Sequence, residues 1–264
     1  MSDPVPPSSP AQARPFGLIC AIPEEMALVG DHFVETGSRT IAGLVFRLGR
    51  MEGVACVVVE SGIGKVNAAL VTTLLLTVFD CRAIVFSGVA GGLDPALGVG
   101  DVVIADRLVQ HDYGAVFHGR VKVYQPGVPP MPQFAQDHGY TVDADLLDRV
   151  RAALADVTLP ALPAAATGGE TRVPRITFGT VLTGDQYVND EDLRIRLHTT
   201  FNARAVEMEG AAIAQVAERF GVPVLVIRAL SDLAGHDSHM DFYAFVHAAA
   251  AGAARLMVRL APVV

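Results

Sequence analysis

The sequence predicts a single α/β domain in which a central mixed, twisted β-sheet is flanked by helices. Three observations predict it. Short apolar runs alternate with segments of helical periodicity along the whole chain, the pattern of strands joined through helices within one sheet. The runs are nearly continuous in apolar residues, as in "VACVVVE" (54–60), so both faces of the sheet are expected to be covered. The composition agrees: 264 residues, 51% hydrophobic and 18% charged, with 25 glycines, 16 prolines and no tryptophan, form a Val/Ala/Gly-rich globular chain. A chain of this length buries roughly 70–75% of its unfolded surface and folds without staples.

In order, the strand-like runs are "FGLICAI" (16–22), set between Pro15 and Pro23, "VACVVVE" (54–60), "AIVFSGV" (83–89), "ITFGTVLTG" (176–184), "ARAVEME" (203–209) and "VPVLVIRALSD" (222–232). Helical spacing covers 65–79, 144–156, 191–200, 210–220 and 241–260, the fourth stopped by Gly221 and Val222-Pro223. Two segments break the alternation. Residues 113–140, with Pro126, Pro129, Pro130 and Pro132, are long enough for a functional loop, and 158–174, "LPALPAAATGGETRVPR", reads as a surface insertion. No repeat or linker divides the chain. Residues 16–264 are therefore expected to form one domain, behind a disordered tail at 1–15 with five prolines and no apolar signal core.

The charge and cysteine content narrow the partners. A formal charge of −8 without any Lys/Arg run argues against nucleic acid, whose phosphates require a basic stripe. The last apolar stretch, 245–264, is interrupted by His247, Arg255 and Arg259 and so is not a membrane span. Cys20, Cys56 and Cys81 lie in apolar runs without a C-x-x-C, which reads as buried thiols in a reducing, cytoplasmic setting.

Most familiar motifs fail. "SGIGK" (61–65) has Val59 where a phosphate loop needs its first glycine, and Asn67 where a dinucleotide fingerprint needs its third. Together with "GVAGG" (88–92) it reads as a tight turn between strand and helix, although backbone amides at such turns often approach a ligand. His236 and His239 have a spacing compatible with a metal but lack the surrounding carboxylates, so neither metal nor cofactor is expected. His111-Asp112 reads as structural, and Ser61, Ser87 and Ser231 lack the nucleophile elbow of serine hydrolases.

What remains is a set of acids. Glu24 and Glu25 follow the first run, Glu209 ends the fifth and Asp232 ends the sixth. Ligand crevices of α/β sheets lie outside the carboxyl ends of the strands, so these carboxylates are expected to converge. The alternative is capping, since acids near helix starts favour the macrodipole. "AVEMEGAA" (205–212) poses the sharper question, because Glu207 and Glu209 lie in an apolar stretch where each needs a partner. A strand residue such as Arg228 would serve Glu207.

The segments "AIPEEM", "SGIGKVNAA", "SGVAGGLDPALGVGDVV", "TGDQYVND", "AVEMEGAAIAQVAERFGVPVLVIRALSD" and "DSHMDF" together resemble the 5′-methylthioadenosine/S-adenosylhomocysteine nucleosidases of the nucleoside phosphorylase superfamily. The resemblance covers about 16–112 and 176–260 and implies the three-layer fold of that superfamily. It implies, position by position, that Asp232 is the general acid at purine N7 and Glu25 the base that activates water. Glu209 would hold the ribose hydroxyls with Met208 beneath the sugar. Tyr187 would stack on the base and the backbone of Val188 read its edge. Phe242 and Ile22 would form the apolar 5′ pocket; Ile63 and Val89 are further substrate contacts, and Ser231 and Arg228 supporting ones. The chemistry suits these types: breaking an N-glycosidic bond needs an acid at the leaving group and a carboxylate for water across the sugar.

Departures matter too. The superfamily's phosphorylases carry an arginine and a serine where "VFSGVAGG" has Phe86 and Val89, so water is the expected nucleophile. Gln186 stands where the resemblance leads one to expect alanine. Other readings stay open: a futalosine or adenosine hydrolase, a phosphate-dependent phosphorylase, or a nucleoside-binding protein without turnover. The resemblance also implies a symmetric homodimer in which 112–127 covers the partner's 5′ pocket; Phe117, Val121, Val123 and Tyr124 are side chains that need such cover.

Overall fold

Along β1 (Phe16–Cys20) every residue is buried, and the alternation of a strand sends its side chains to two different cores. Ile19 joins one core with Val57, Val59, Leu75 and Ile213, while Phe16, Leu18 and Cys20 join another with Val150, Leu256 and Met257. That division builds three layers. The structure, a computed structural model, describes residues 14–129, 131, 138–164, 171–235 and 238–264. Helices α2 (Lys65–Thr77) and α5 (Gly210–Phe220) cover one face; α1 (Pro23–Val29), α3 (Ala144–Leu154) and α6 (Ser238–Leu260) cover the other. A smaller cluster around Leu182 and Val206 seats α4 (Glu191–Phe201). Each large apolar side chain so removed from water contributes about 1.5–3 kcal/mol.

The other strands are β2 (Phe33–Ile41), β3 (Leu44–Met51), β4 (Val54–Glu60), β5 (Ile84–Gly92), β6 (Val102–Gln110), β7 (Gly114–Phe117), β8 (Arg120–Val123), β9 (Tyr140–Thr141), β10 (Ile176–Thr183), β11 (Ala203–Glu207) and β12 (Val224–Asp232). The main sheet runs β11-β10-β6-β12-β5-β1-β4-β3-β2, with β9 paired to β6. It is mixed, as expected. β1 lies parallel to β4 and β5, and β12 lies parallel to β5 but antiparallel to β6. The carboxyl end of β5 bends to meet β11 antiparallel through Gly91–Val206 and Gly92–Ala205. Strands β5, β12, β6, β10 and β11 thereby close a ring, and the carboxyl ends of β5, β11 and β12, with the segment that follows β10, come to one cavity.

The six expected strands and five expected helices are present within a few residues of their predicted limits. Helix α5 stops at Gly221, whose φ of 63° is the left-handed geometry glycine takes readily. Two limits move in ways that matter. The first run ends at Cys20, and Pro23 then opens the unanticipated α1. The fifth ends at Glu207, which makes Glu209 the residue preceding α5 rather than a strand residue. Strands β2, β3 and β6 fill stretches with no predicted element, and 113–140 contains the β7–β8 hairpin and β9. The described ends of 158–174 are tied down by a bridge between Leu162 and Arg172, and Arg172 binds the buried Asp101.

Residues 1–13 of the expected tail lie outside the described residues. Arg14 and Pro15 hold to the domain, through Asp80 and the N–H of Arg82. All three cysteines are free and buried. Among the described residues no helix is long and apolar enough to cross a membrane.

Candidate active site

Pro23 begins α1 directly after β1, and this abrupt start turns Glu25 back over the carboxyl end of the sheet. Its Oε2 accepts the N–H of Ala21 at 2.7 Å and of Ile22 at 3.3 Å; its Oε1 accepts that of Val89 at 2.8 Å. Arg228 Nη1 lies 3.8 Å from Oε1. Burial nevertheless outweighs the arginine and the three amides, and pushes the Glu25 carboxyl above its ordinary range. Gly88 leaves the space for this arrangement, since a methyl there would meet both the Glu25 carboxyl and the Arg228 guanidinium.

Glu207 and Glu209 part company where β11 gives way to α5. Glu207 caps the helix: its oxygens accept the N–H of Gly210 at 2.8 and 3.0 Å and of Glu209 at 3.1 Å, and Thr183 Oγ1 donates to it. Glu209 is thus released from capping and turns to the cavity. Its Oε1 accepts the N–H of Gly64 at 2.7 Å, from a turn where Gly64 holds a φ of 102° that side-chain-bearing residues rarely adopt. Arg228 Nη2 reaches Glu207 Oε2 at 2.8 Å, the pairing anticipated from sequence, and Glu209 Oε2 at 3.3 Å.

One guanidinium cannot neutralise three carboxyl groups. Burial and the neighbouring Glu207 push Glu209 up to about 8, against the pull of Arg228 and the Gly64 amide. The guanidinium itself lies 3.4 Å over the ring of Phe86. Asp232, the last residue of β12, completes the set from the other side. Its Oδ1 accepts the N–H of Ala234 at 2.8 Å, and Ser231 Oγ donates to its Oδ2 at 3.0 Å.

These groups surround a cavity of about 320 Å³. Of the residues singled out in the sequence, Ile22, Glu25, Ile63, Val89, Gln186, Tyr187, Val188, Glu207, Met208, Glu209, Ser231 and Asp232 line it. Arg228 does not: it lies behind the carboxylates as their shared counter-charge. Phe242 falls in α6, but its side chain lies outside the described residues, as do His236 and the side chain of His239. Ala21, Ala90, Gly91 and Val206 also line the cavity. They carry no chemistry of their own, and only their closeness to the acids in sequence could have suggested them. Glu24 lies beside the cavity without lining it. Asp112 binds Lys65 Nζ and the N–H of Asp185, burial holds the His111 imidazole below its ordinary pKa, and neither residue lines the cavity.

Three carboxylates around a largely apolar cavity, at the carboxyl ends of strands in a sheet closed in this way, define a class. The model of the phosphorylase superfamily matches residues 15–262. A 5′-methylthioadenosine/S-adenosylhomocysteine nucleosidase of Mycobacterium tuberculosis is 50% identical over 94% of this chain and 96% of its own length. Among solved structures, futalosine hydrolase of Helicobacter pylori superposes with a TM-score of 0.79 at 27% identity, covering 95% of this chain and 98% of that one. The 5′-methylthioadenosine/S-adenosylhomocysteine nucleosidase of S. pneumoniae, with the transition-state inhibitor MT-ImmA, gives a TM-score of 0.77 at 31% identity over 93% and 97% of the two chains. The chain belongs to the phosphorylase superfamily and, within it, to the 5′-methylthioadenosine/S-adenosylhomocysteine nucleosidase family.

Proposed function

We propose that the protein hydrolyses the N-glycosidic bond of 5′-methylthioadenosine, S-adenosylhomocysteine or a related adenosine, releasing adenine and the free 5-substituted ribose. Asp232 gives its proton to N7 of the purine as the bond from C1′ to N9 breaks and its electron pair enters the base. Glu25 takes a proton from the water whose oxygen bonds to C1′. Its raised pKa makes it the stronger base once ionised. Glu209 accepts hydrogen bonds from the ribose hydroxyls and stabilises the positive charge that develops on the sugar. Tyr187 stacks on the base, the Val188 backbone reads its edge, and Met208 packs beneath the sugar. Ile22, Ile63 and Phe242 receive the 5′ substituent, Val89 contacts substrate, and Ser231 and Arg228 support the acids. The enzyme works as a cytoplasmic homodimer on a small-molecule nucleoside and uses no cofactor.

One observation carries the choice of water over phosphate. The N–H of Val89, at the turn where the phosphorylases bring their anion-binding side chains, is taken by the Glu25 carboxylate at 2.8 Å. A phosphate dianion would face that carboxylate and find no added arginine or hydroxyl to offset its desolvation. The likeness to a futalosine hydrolase favours a second reading, in which the 5′ group is larger than a thioalkyl chain.

A panel of methylthioadenosine, S-adenosylhomocysteine, adenosine and futalosine, scored by base release, decides between the two. The two thio-substituted adenosines should have the highest kcat/KM, and Asp232→Asn and Glu25→Gln should each lose about 100- to 10,000-fold in turnover. A preference for futalosine would support the second reading. A variant retaining more than about a tenth of wild-type turnover would remove the role given to that residue.

A further inference from the structure

Lys65 opens α2 one residue after Gly64, whose N–H binds Glu209, yet its side chain does not line the cavity. Its ammonium instead lies 2.7 Å from Asp112 Oδ1 and 3.6 Å from Asp185 Oδ2, with the lysine and Asp112 side chains both mostly buried. The same three residues are bonded again through the backbone: the N–H of Lys65 donates to Asp185 Oδ1 at 2.9 Å, and that of Asp185 to Asp112 Oδ2 at 2.9 Å. Burial alone would raise Asp112, but the Lys65 and Asp185 donors outweigh it and hold its carboxyl below the usual range. Three loops from distant parts of the sequence therefore meet on one cation: the turn before α2, the end of β6, and the segment after β10 that leads to Gln186, Tyr187 and Val188 at the cavity.

We infer that Lys65 is a positioning residue for the nucleoside site, its ammonium clamping Asp112 and Asp185 so that the 184–188 segment stands at the right height for the base while Gly64 stays in place for Glu209. The geometry favours this over a surface ion pair. Asp185 is half exposed, so without the cation its carboxylate would keep only the Lys65 N–H against the pull of water, whereas Asp112 and Lys65 are sheltered enough for the pair to resist salt screening. A loosened loop misplaces the stacking and edge-reading groups, and displacements of about 1 Å cost rate and affinity steeply. The inference rests on the reading of Tyr187 and Val188 as the base-holding residues.

The test measures adenine affinity by calorimetry and steady-state hydrolysis of methylthioadenosine in Lys65→Met, Asp112→Asn, the double variant and Lys65→Arg. Lys65→Met should weaken adenine binding and raise KM by about tenfold, with a smaller fall in kcat. Lys65→Arg should restore most of the affinity, and the double variant should lose no more than the worse single one, because both remove one clamp. If Lys65→Met does not fold, Asp112→Asn is read in its place, with the same shift in adenine affinity expected. Adenine affinity within twofold of wild type in the folded variants, or additive losses in the double variant, would overturn the inference. Tyr187→Ala separates this from the underlying assignment. Weaker adenine binding there beside unchanged binding in Lys65→Met overturns the clamp alone; unchanged binding in Tyr187→Ala overturns the base site and the inference with it.

Discussion

Two glutamates two positions apart serve different ends because a strand stops at the first and a helix begins after the second. Glu207 is consumed by structure, with the amides of Glu209 and Gly210, Thr183 and Arg228 all bonded to it. Glu209 keeps its oxygens toward the cavity and, with burial only partly compensated, is held near 8 against an ordinary value of 4.5. The sign of the linked stability follows. A carboxyl raised by folding stabilises the native state fully below its unfolded value, and that contribution is lost as pH rises through the folded one. The ligand-free protein should therefore lose Tm between about pH 5 and pH 8, and Glu209→Gln, which cannot ionise, should lose less over the same range. Equal slopes for the two proteins would mean that Glu209 is already ionised in the empty site.

At the scale of elements, the carboxyl half of β5 sets the site. Gly88 admits Glu25 and Arg228 over the strand, and Gly91 lies beside Asp232, whose Oδ1 would be 3.0 Å from a methyl at that position. Gly88→Ala should thus displace the base and its counter-charge together, lowering kcat by roughly 100-fold while the fold, judged by circular dichroism, persists. Near-normal kcat would show that the base need not sit where it does. Sequence made much of this legible, because the strands that bear the acids are buried on both faces and read as apolar runs. β2 was hidden for the opposite reason: its residues are exposed along almost the whole strand, so no apolar period marks it. β6 passed unassigned beside a Gly-rich stretch, and the meeting of β5 with β11 depends on residues more than a hundred positions apart. The capping of α5 by Glu207 was hidden for a related reason, since both glutamates fall in one apolar run whose strand in fact ends between them.

For the whole molecule, the exposed apolar surface bears on the proposed homodimer. On the β7–β8 hairpin Val116 is 70% exposed, Phe117 50% and Val121 44%, and such a group of side chains calls for cover. Val123 and Tyr124, grouped with them from the sequence, instead pack within their own chain. Ile63 and Tyr187, which line the cavity, are exposed as well, so the proposed partner would have apolar surface to cover there too. Sedimentation equilibrium should give twice the mass of one chain, and charged substitutions at Phe117 and Val121 should weaken both the dimer and the preference for methylthio over hydroxyl at the 5′ position. A monomer with that preference undiminished would contradict this assembly.

The account as a whole turns on what attacks the sugar. Hydrolysis of methylthioadenosine in ¹⁸O-enriched water, with and without added phosphate, tests it most directly. If Glu25 activates water, free methylthioribose accumulates at the same rate in both buffers, and product trapped at once by reduction carries the label on the oxygen at C1. Formation of a sugar 1-phosphate, with turnover only when phosphate is present, would contradict it.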